Sequence, residues 1–244
     1  MNKISTCTEM FAAKIDLQQT LAILAELKFR YLDLAWKFVS PYITGKRKQS
    51  FAELKAMLNE HNIQTVAIMG TIDFGVNERM FPAQMDALRR QIEAASALGA
   101  DIIRVFASHI QERYIDDYTF QRIISNIRKA CLLLENTNVK LALENHFGVT
   151  STAAAVLRIL EGVDSAHVGV TFDPANFVVS REDPVAAAEQ LAQNILHVHL
   201  KDCIHTGTGK WFGYEYVELG KGTLNYAKIL KTLKKNRYKG FLSL

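Results

Sequence analysis

The sequence predicts an α/β protein with the (β/α)8 TIM-barrel fold. Eight short stretches rich in β-branched residues recur along the 244-residue chain, with helical patterns between them. Strands that alternate with helices form parallel sheets, and eight such units fit the roughly 250 residues of a closed barrel better than an open sheet. Because no Pro/Gly/Ser-rich linker interrupts the alternation, we expect a single domain over residues 1–244.

The predicted strands are apolar segments that end in polar or turn residues. In chain order they are 4–7, 31–36, 64–69, 101–106, 139–144, 167–173, 195–201 and 241–244. The last one ends the sequence, so we expect this chain to lack the eighth helix. An open Rossmann-type sheet is the alternative. It is disfavoured because no GxGxxG motif follows the first strand, and Gly220-Lys221-Gly222 has no strand directly before it.

Helices are predicted between the strands because apolar residues recur every three or four positions. Three clear stripes are Leu17, Leu21 and Leu24; Phe51, Leu54 and Leu58; and Tyr226, Ile229, Leu230 and Leu233. Lysines occupy the face opposite the third stripe, which is typical of a helix on a protein surface.

Composition and charge exclude several classes of protein. With 49% hydrophobic and 22% charged residues, the chain can bury a large core and is not predicted to be disordered. A net charge of +4 without a basic stripe makes a nucleic-acid partner an unfavoured prediction. No apolar run is long enough to span a bilayer, so no membrane partner is expected, while a homo-oligomer stays open.

The cysteines predict a reducing compartment. Cys7, Cys131 and Cys203 are three in number, far apart and outside any CxxC pattern, which disfavours a disulfide framework or a structural zinc finger. The amino terminus also lacks the apolar core of a signal peptide. We therefore expect a cytoplasmic protein.

Polar residues collect where three successive predicted strands end. Glu144 ends the fifth strand, Asp173 ends the sixth, and His199 lies near the end of the seventh. The carboxyl ends of barrel strands meet at one mouth, where the working residues of such barrels lie. Two carboxylates and a neutral imidazole match one divalent cation, with Mn, Zn, Co and Fe preferred over thiolate-loving ions. In the structural alternative, Glu144 forms an ion pair, Asp173 caps a helix and His199 makes a hydrogen bond in the core.

A longer series of motifs makes the chain resemble a known family. Its members in chain order are Glu144-Asn145-His146, Asp173-Pro174-Ala175-Asn176-Phe177, His197-Val198-His199-Leu200-Lys201-Asp202, Leu219-Gly220-Lys221-Gly222 and the terminal Tyr238-Lys239-Gly240-Phe241-Leu242-Ser243-Leu244. This series resembles the sugar phosphate isomerase/epimerase family of xylose isomerase-like TIM barrels. The likeness covers nearly the whole chain.

The resemblance implies a metal-dependent reaction on a sugar or sugar phosphate. It implies one divalent metal, Mn first, with Zn, Co, Fe or Mg as alternatives, held by Glu144, Asp173, His199 and a glutamate that would directly follow Leu244, the last residue of the sequence. It implies carbohydrate isomerisation or epimerisation by proton transfer through an enediolate. Glu144 would be one member of the acid/base pair, and the residue after Leu244 would be the other.

Further residues near these motifs are candidates for substrate contact. Lys201 is the favoured catalytic candidate, because it shares a strand face with His199 and could polarise a hydroxyl or carbonyl group. Asp202 could orient Lys201 or bind substrate. The remaining substrate-binding candidates are His146, Asn176 and Arg104, whose structural alternatives are a loop position, a turn cap and an ion pair with Asp101 or a surface acid. Weaker candidates are Asp33 and His205, and the aromatic residues Trp211, Phe212, Tyr214 and Tyr216 could form a pocket wall or an oligomer contact.

Three other functions remain open. The His199-x-Lys201-Asp202 pattern resembles the inosose dehydratases of the family and differs from the His-x-Gly-Glu of its ketose 3-epimerases, so a lyase is an alternative. A DNA-repair endonuclease is disfavoured, because Asn176 stands where the endonuclease pattern has histidine. The non-enzymatic alternative is a catalytically incomplete barrel that binds a sugar or a protein partner.

Overall fold

Eight parallel strands close into a barrel, in the spatial order β1-β10-β7-β6-β5-β4-β3-β2. The computed structural model describes residues 3–43, 50–108, 115–208 and 212–244. The barrel strands are β1 (Ile4–Cys7), β2 (Tyr31–Ala35), β3 (Gln64–Met69), β4 (Ile102–Val105), β5 (Lys140–Glu144), β6 (Val168–Phe172), β7 (Ile195–His199) and β10 (Leu242–Ser243). The predicted closed barrel is confirmed, and all eight predicted strands are present.

Helices surround the barrel. They are α1 (Glu9–Ala12), α2 (Leu17–Glu26), α3 (Trp36–Ile43), α4 (Phe51–Glu60), α5 (Phe81–Leu98), α6 (Asp117–Cys131), α7 (Ala153–Val163), α8 (Pro174–Val179), α9 (Pro184–Leu191) and α10 (Tyr226–Lys235). The short α1 and α8 lie in the loops at the mouth of the barrel. The three predicted stripes lie on α2, α4 and α10. Among the described residues, no helix is long and apolar enough to cross a membrane.

Local sequence signals explain where several helices begin. Asp16 caps α2 and accepts a hydrogen bond from the backbone N–H of Gln19, while the side chain of Gln19 accepts one from the N–H of Asp16. Ser50 and Glu53 form the same reciprocal capping box at α4. Each box satisfies N–H groups that have no partner inside the helix, so it fixes the first turn.

Side chains alternate in direction along each strand, so apolar residues pack outward in the core and polar residues face the site inside the barrel. Leu141 and Leu143 on β5 are fully buried and pack in the core between the strands and the surrounding helices. Burial of a leucine side chain contributes about 1.5–3 kcal/mol to folding. Glu144 has the opposite parity and faces the barrel interior, as does Ala142 below it. The strands therefore support the polar site with an apolar outer layer.

One element was not predicted. After β7 the chain forms an antiparallel hairpin of β8 (Asp202–His205) and β9 (Tyr214–Val217) outside the barrel sheet. The predicted seventh strand reached Lys201, but β7 ends at His199, because the chain leaves the barrel there to enter this hairpin. Trp211 lies outside the described residues.

Candidate metal centre

Three neighbouring strands bring two carboxylates and one imidazole together at the barrel mouth. Glu144 ends β5, Asp173 directly follows β6, and His199 ends β7. His199 Nδ1 lies 3.1 Å from Glu144 Oε1 and 4.0 Å from Asp173 Oδ2. One ligand atom from each of the three residues lies within 4.8 Å of the others, and all three side chains are buried.

The donor set fits a divalent cation. The two buried carboxylates have positive charge beside them, because Arg104 pairs with Glu144 and Lys201 pairs with Asp173. Carboxylate oxygens and one imidazole nitrogen within 4.8 Å of one another are the kinds of ligand that Mn, Zn, Co and Fe share. The residues present would therefore hold such an ion, with no ligand taken from the helices.

Asp173 serves both the fold and the site. Its Oδ1 accepts hydrogen bonds from the backbone N–H groups of Ala175 and Asn176, at 3.0 and 3.2 Å, and so caps α8. Its Oδ2 points into the site and lies 2.5 Å from Lys201 Nζ. The structural alternative and the ligand role are therefore compatible, because each uses a different oxygen.

Lys201 lies above the trio, on the open side. It follows His199 by two residues, and its side chain is 37% exposed, whereas Asp173 is fully buried. The ammonium group also lies 5.3 Å from the ring centre of Tyr216 on the β8–β9 hairpin. Lys201 therefore places a positive charge beside the cavity at the mouth of the barrel.

Arg104 forms ion pairs, as its structural alternative supposed, and its partners are the buried Glu144 and the half-exposed Glu9 instead of Asp101. Its guanidinium is buried and donates to two acids, with Nη1 2.8 Å from Glu144 Oε2 and Nη2 2.6 Å from Glu9 Oε1. Glu9, in the short α1 after β1, was not predicted as a site residue. Glu9 lies two residues beyond the end of β1, and Glu144 is the last residue of β5, so its position near a strand end was the available signal.

These contacts shift the pKa values of the site. Burial favours the neutral form of Glu144, but the charges of Arg104 and His199 outweigh it and hold the Glu144 pKa well below its usual range. For Asp173, burial and the charge of Glu144 outweigh Lys201 and raise the pKa. Burial alone would lower the pKa values of His199 and Lys201, but the neighbouring carboxylates raise both.

A cavity of about 280 Å³ opens beside the trio. Its lining includes Glu9, Arg104, Glu144, His146, His199 and Lys201. His146 packs edge-on against the rings of Phe106 and Phe147, with centroids 5.8 and 4.2 Å away. Arg104, His146 and Lys201 thus line the cavity, and their roles in substrate contact stay predictions.

Asn176 supports the site through hydrogen bonds to neighbouring protein groups. Its Nδ2 donates to the backbone oxygen of Asn145 at 2.9 Å, and its Oδ1 accepts from the Tyr216 hydroxyl at 3.3 Å. Asn145 in turn exchanges two 2.8 Å hydrogen bonds with the backbone of Asp173. The side chain predicted to face substrate is therefore engaged by the protein. The Asn145 amide, for which the sequence suggested no role, fixes the backbone that presents Asp173.

The Asp202 carboxylate faces away from the cavity. It binds backbone N–H groups and does not make the predicted contact with Lys201 or substrate. Its Oδ1 accepts from the backbone N–H groups of Cys203 and Leu224, and its Oδ2 from those of Gly220 and Gly222, at 2.9–3.2 Å. A Cβ on Gly222 would lie 1.9 Å from Asp202 Oδ1, so only glycine permits this approach. The Gly220-Lys221-Gly222 motif is thus an anchor for the loop that leads to α10.

Replacing Asp202 by alanine is expected to lower the free energy of unfolding by about 3 kcal/mol or more. The change removes charge-assisted hydrogen bonds worth roughly 1.5–3 kcal/mol each and leaves their N–H donors without this partner. Urea denaturation would measure the loss. Asp183→Ala is the matched control, because Asp183 is an exposed cap with one bond to Val185, and it should cost only about 1 kcal/mol. Equal losses would contradict the anchoring role.

Comparison with known proteins agrees with the fold. The family model for the xylose isomerase-like TIM barrel matches residues 21–244. The chain is 27% identical over 207 residues to a 3-oxo-isoapionate decarboxylase of Pectobacterium atrosepticum, covering 75% of this chain and 74% of the decarboxylase. It is 24% identical over 228 residues to an inosose dehydratase of Clostridium beijerinckii, with 84% and 76% covered. The solved structure of the IOLI protein with a zinc atom has a TM-score of 0.84 at 17% identity, covering 99% of this chain and 87% of that one.

Proposed function

Because the chain belongs to the family of xylose isomerase-like TIM barrels, we propose that it is a metal-dependent enzyme acting on a polyhydroxylated ketone of the sugar class. The family includes sugar epimerases and inosose dehydratases. The observation that carries the proposal is the convergence of Glu144, Asp173 and His199 beside a cavity, with Lys201 above them.

A divalent cation held by Glu144, Asp173 and His199 would act as a Lewis acid toward a substrate oxygen and acidify the neighbouring C–H. Zinc in the structurally similar IOLI protein supports a cation in this fold, and manganese is the ion that the resemblance suggests. Glu144 and His199 line the cavity, so the ketone end of a bound sugar would lie beside the trio.

Glu144 is the proposed proton acceptor. Its carboxylate borders the cavity, and the 2.8 Å hydrogen bond from Arg104 keeps it ionised and fixed in orientation. Lys201 is the proposed proton donor, because it is the ammonium group on the open side of the cavity. His146 and Arg104 would contact substrate hydroxyls.

Two reactions begin with this proton removal. In a dehydration, the C–H bond breaks, a C=C bond forms, and the hydroxyl on the next carbon leaves as water with a proton from Lys201. In an isomerisation or epimerisation, the proton returns to carbon in a new position or on a new face. The position of Lys201 and the similarity to inosose dehydratases favour dehydration.

Proton exchange in D2O tests the proposal. Protein loaded with Mn, Zn or Co would be incubated with an inosose and with free ketohexoses, and proton NMR would follow the C–H beside the carbonyl. We expect deuterium incorporation that depends on the metal, and loss of water with the inosose. A new sugar in place of an alkene product would favour the epimerase. Binding of a sugar without exchange would instead support the sugar-binding barrel and overturn the enzymatic proposal.

A further inference from the structure

A second polar pair lies inside the barrel, next to the metal-centre trio. Asp33 Oδ2 lies 2.7 Å from His197 Nε2, and both side chains are almost fully buried. Asp33 belongs to β2 and His197 to β7, and β1 and β10 separate these strands in the sheet. The contact therefore crosses the barrel interior, and neither side chain lines the cavity described above.

His199 stands between this pair and the trio. Its Nδ1 faces Glu144 Oε1 and Asp173 Oδ2, while its Nε2 lies 3.8 Å from Asp33 Oδ2. Asp33 is the one carboxylate within 4.0 Å of that Nε2 among the described residues. Nε2 is buried and has no hydrogen-bond partner in the part of the chain that the structure describes.

The two nitrogens of His199 have opposite requirements. A ring nitrogen that binds a metal offers a lone pair, so the proton of the neutral imidazole must lie on the other nitrogen. A lone pair on Nε2 would face the Asp33 carboxylate and be repelled, whereas an N–H there is attracted. The geometry thus favours the tautomer with the proton on Nε2 and the lone pair on Nδ1.

A second metal ion between Asp33, His197 and His199 is the competing explanation, since their ligand atoms also lie within 4.8 Å of one another. Ligands at about 2.0–2.1 Å from a tetrahedral zinc lie about 3.3 Å apart. The 2.7 Å between Asp33 and His197 is shorter and has the length of a charge-assisted hydrogen bond. The pair therefore fits hydrogen bonding better than shared coordination.

We propose that Asp33 and His197 are positioning residues that hold His199 in the Nε2–H tautomer and so present Nδ1 to the metal. His197 donates to Asp33 and fixes the direction of its carboxylate, and Asp33 then selects the proton position on His199. The inference rests on the proposed metal centre. It extends that centre to the Asp33–His197 pair, which lies on the side of His199 opposite the metal.

The test is metal affinity of the purified protein, measured with Zn against a chromophoric chelator and with Co by its visible absorption. The substitution Asp33→Asn keeps the shape of the side chain. It removes the negative charge beside His199 Nε2, so an N–H at Nε2 is attracted less strongly even where the amide oxygen still accepts from His197. We expect affinity for both metals to fall roughly 10–100-fold, as for other outer-shell partners of metal ligands. In Zn-loaded parent protein, nitrogen-15 NMR should show the His199 proton on Nε2.

Two comparisons separate positioning from general damage. His197→Gln keeps a donor toward Asp33 and should retain more affinity than His197→Leu. Asn126→Ala removes a buried hydrogen bond to the Phe74 carbonyl on the helical layer, so it should lower the melting temperature and leave metal affinity at the parent value. Parent-like affinity in Asp33→Asn would overturn the positioning role and leave the metal centre intact. A parent chain that binds neither metal would overturn both proposals.

Discussion

Replacing Glu144 by glutamine is expected to remove the metal from the protein. Purified without chelator, the parent chain should carry about one Mn, Zn, Co or Fe per molecule, and Glu144→Gln should lose it, with affinity reduced roughly 100-fold or more. This exceeds the 10–100-fold typical of outer-shell partners, because Glu144 supplies a ligand atom and a negative charge. Metal content by inductively coupled plasma mass spectrometry measures the result.

Glu9→Gln is the matched control for this experiment. Glu9 and Glu144 each accept one hydrogen bond from Arg104, so each variant disturbs the same guanidinium. Only Glu144 belongs to the trio, whereas Glu9 is 46% exposed at the rim. Glu9→Gln should therefore retain the metal. An equal loss in both variants would assign the effect to Arg104, and a metal-free parent, even after reconstitution, would contradict the proposed centre.

The sequence predicts the barrel well because its signals are local. Each strand is a short apolar run, each amphipathic helix has its own periodicity, and alternation of the two leads to parallel strands. The convergence of Glu144, Asp173 and His199 was predicted in the same way, since each lies at or directly after a strand end and the ends of neighbouring strands meet at one mouth. A prediction of this kind needs only the position of a residue within its own element.

Contacts that depend on closure of the barrel were harder to predict. Arg104 and Glu9 are separated by 95 positions, and Asp33 and His197 by 164, so no local pattern pairs them. Asp202 shows a different limit, because a carboxylate beside the site can turn its oxygens toward backbone amides instead of substrate. A carboxylate at position 202, next to Lys201, suggested a role in substrate binding. The direction of its side chain, however, is set by residues 220–224, whose backbone N–H groups fold back onto it.

The contacts of the β8–β9 hairpin were also hard to predict from sequence. Its residues follow β7 in a stretch whose aromatic side chains suggested either a pocket wall or an oligomer contact. The structure brings Tyr216 to Asn176 and beneath the ammonium of Lys201, so this part of the hairpin borders the site. An aromatic side chain is compatible with many neighbours, and only the fold of the hairpin selects among them.

Replacing Lys201 by methionine is expected to separate the two halves of the proposed reaction. Loss of water from an inosose should slow by about 10²–10⁴-fold, because the leaving hydroxyl loses its proton donor. Deuterium exchange beside the carbonyl should persist, since Glu144 and its Arg104 contact are unchanged. Metal content should also persist, because the ammonium of Lys201 now lies 2.5 Å from Asp173 Oδ2 and competes with a cation there. NMR in D2O follows both reactions in one sample.

Lys201→Arg identifies which property of Lys201 matters. An arginine keeps a positive charge near Asp173, but a guanidinium stays protonated in proteins, whereas the Asp173 charge that raises the pKa of Lys201 would be neutralised by a bound cation. If Lys201 acts as the acid, Lys201→Arg should eliminate water about as slowly as Lys201→Met. If Lys201 only balances the charge of Asp173, Lys201→Arg should recover most of the parent rate. Equal loss of exchange and elimination in both variants would contradict the division of roles, because it would mean that Lys201 also takes part in removing the proton from carbon.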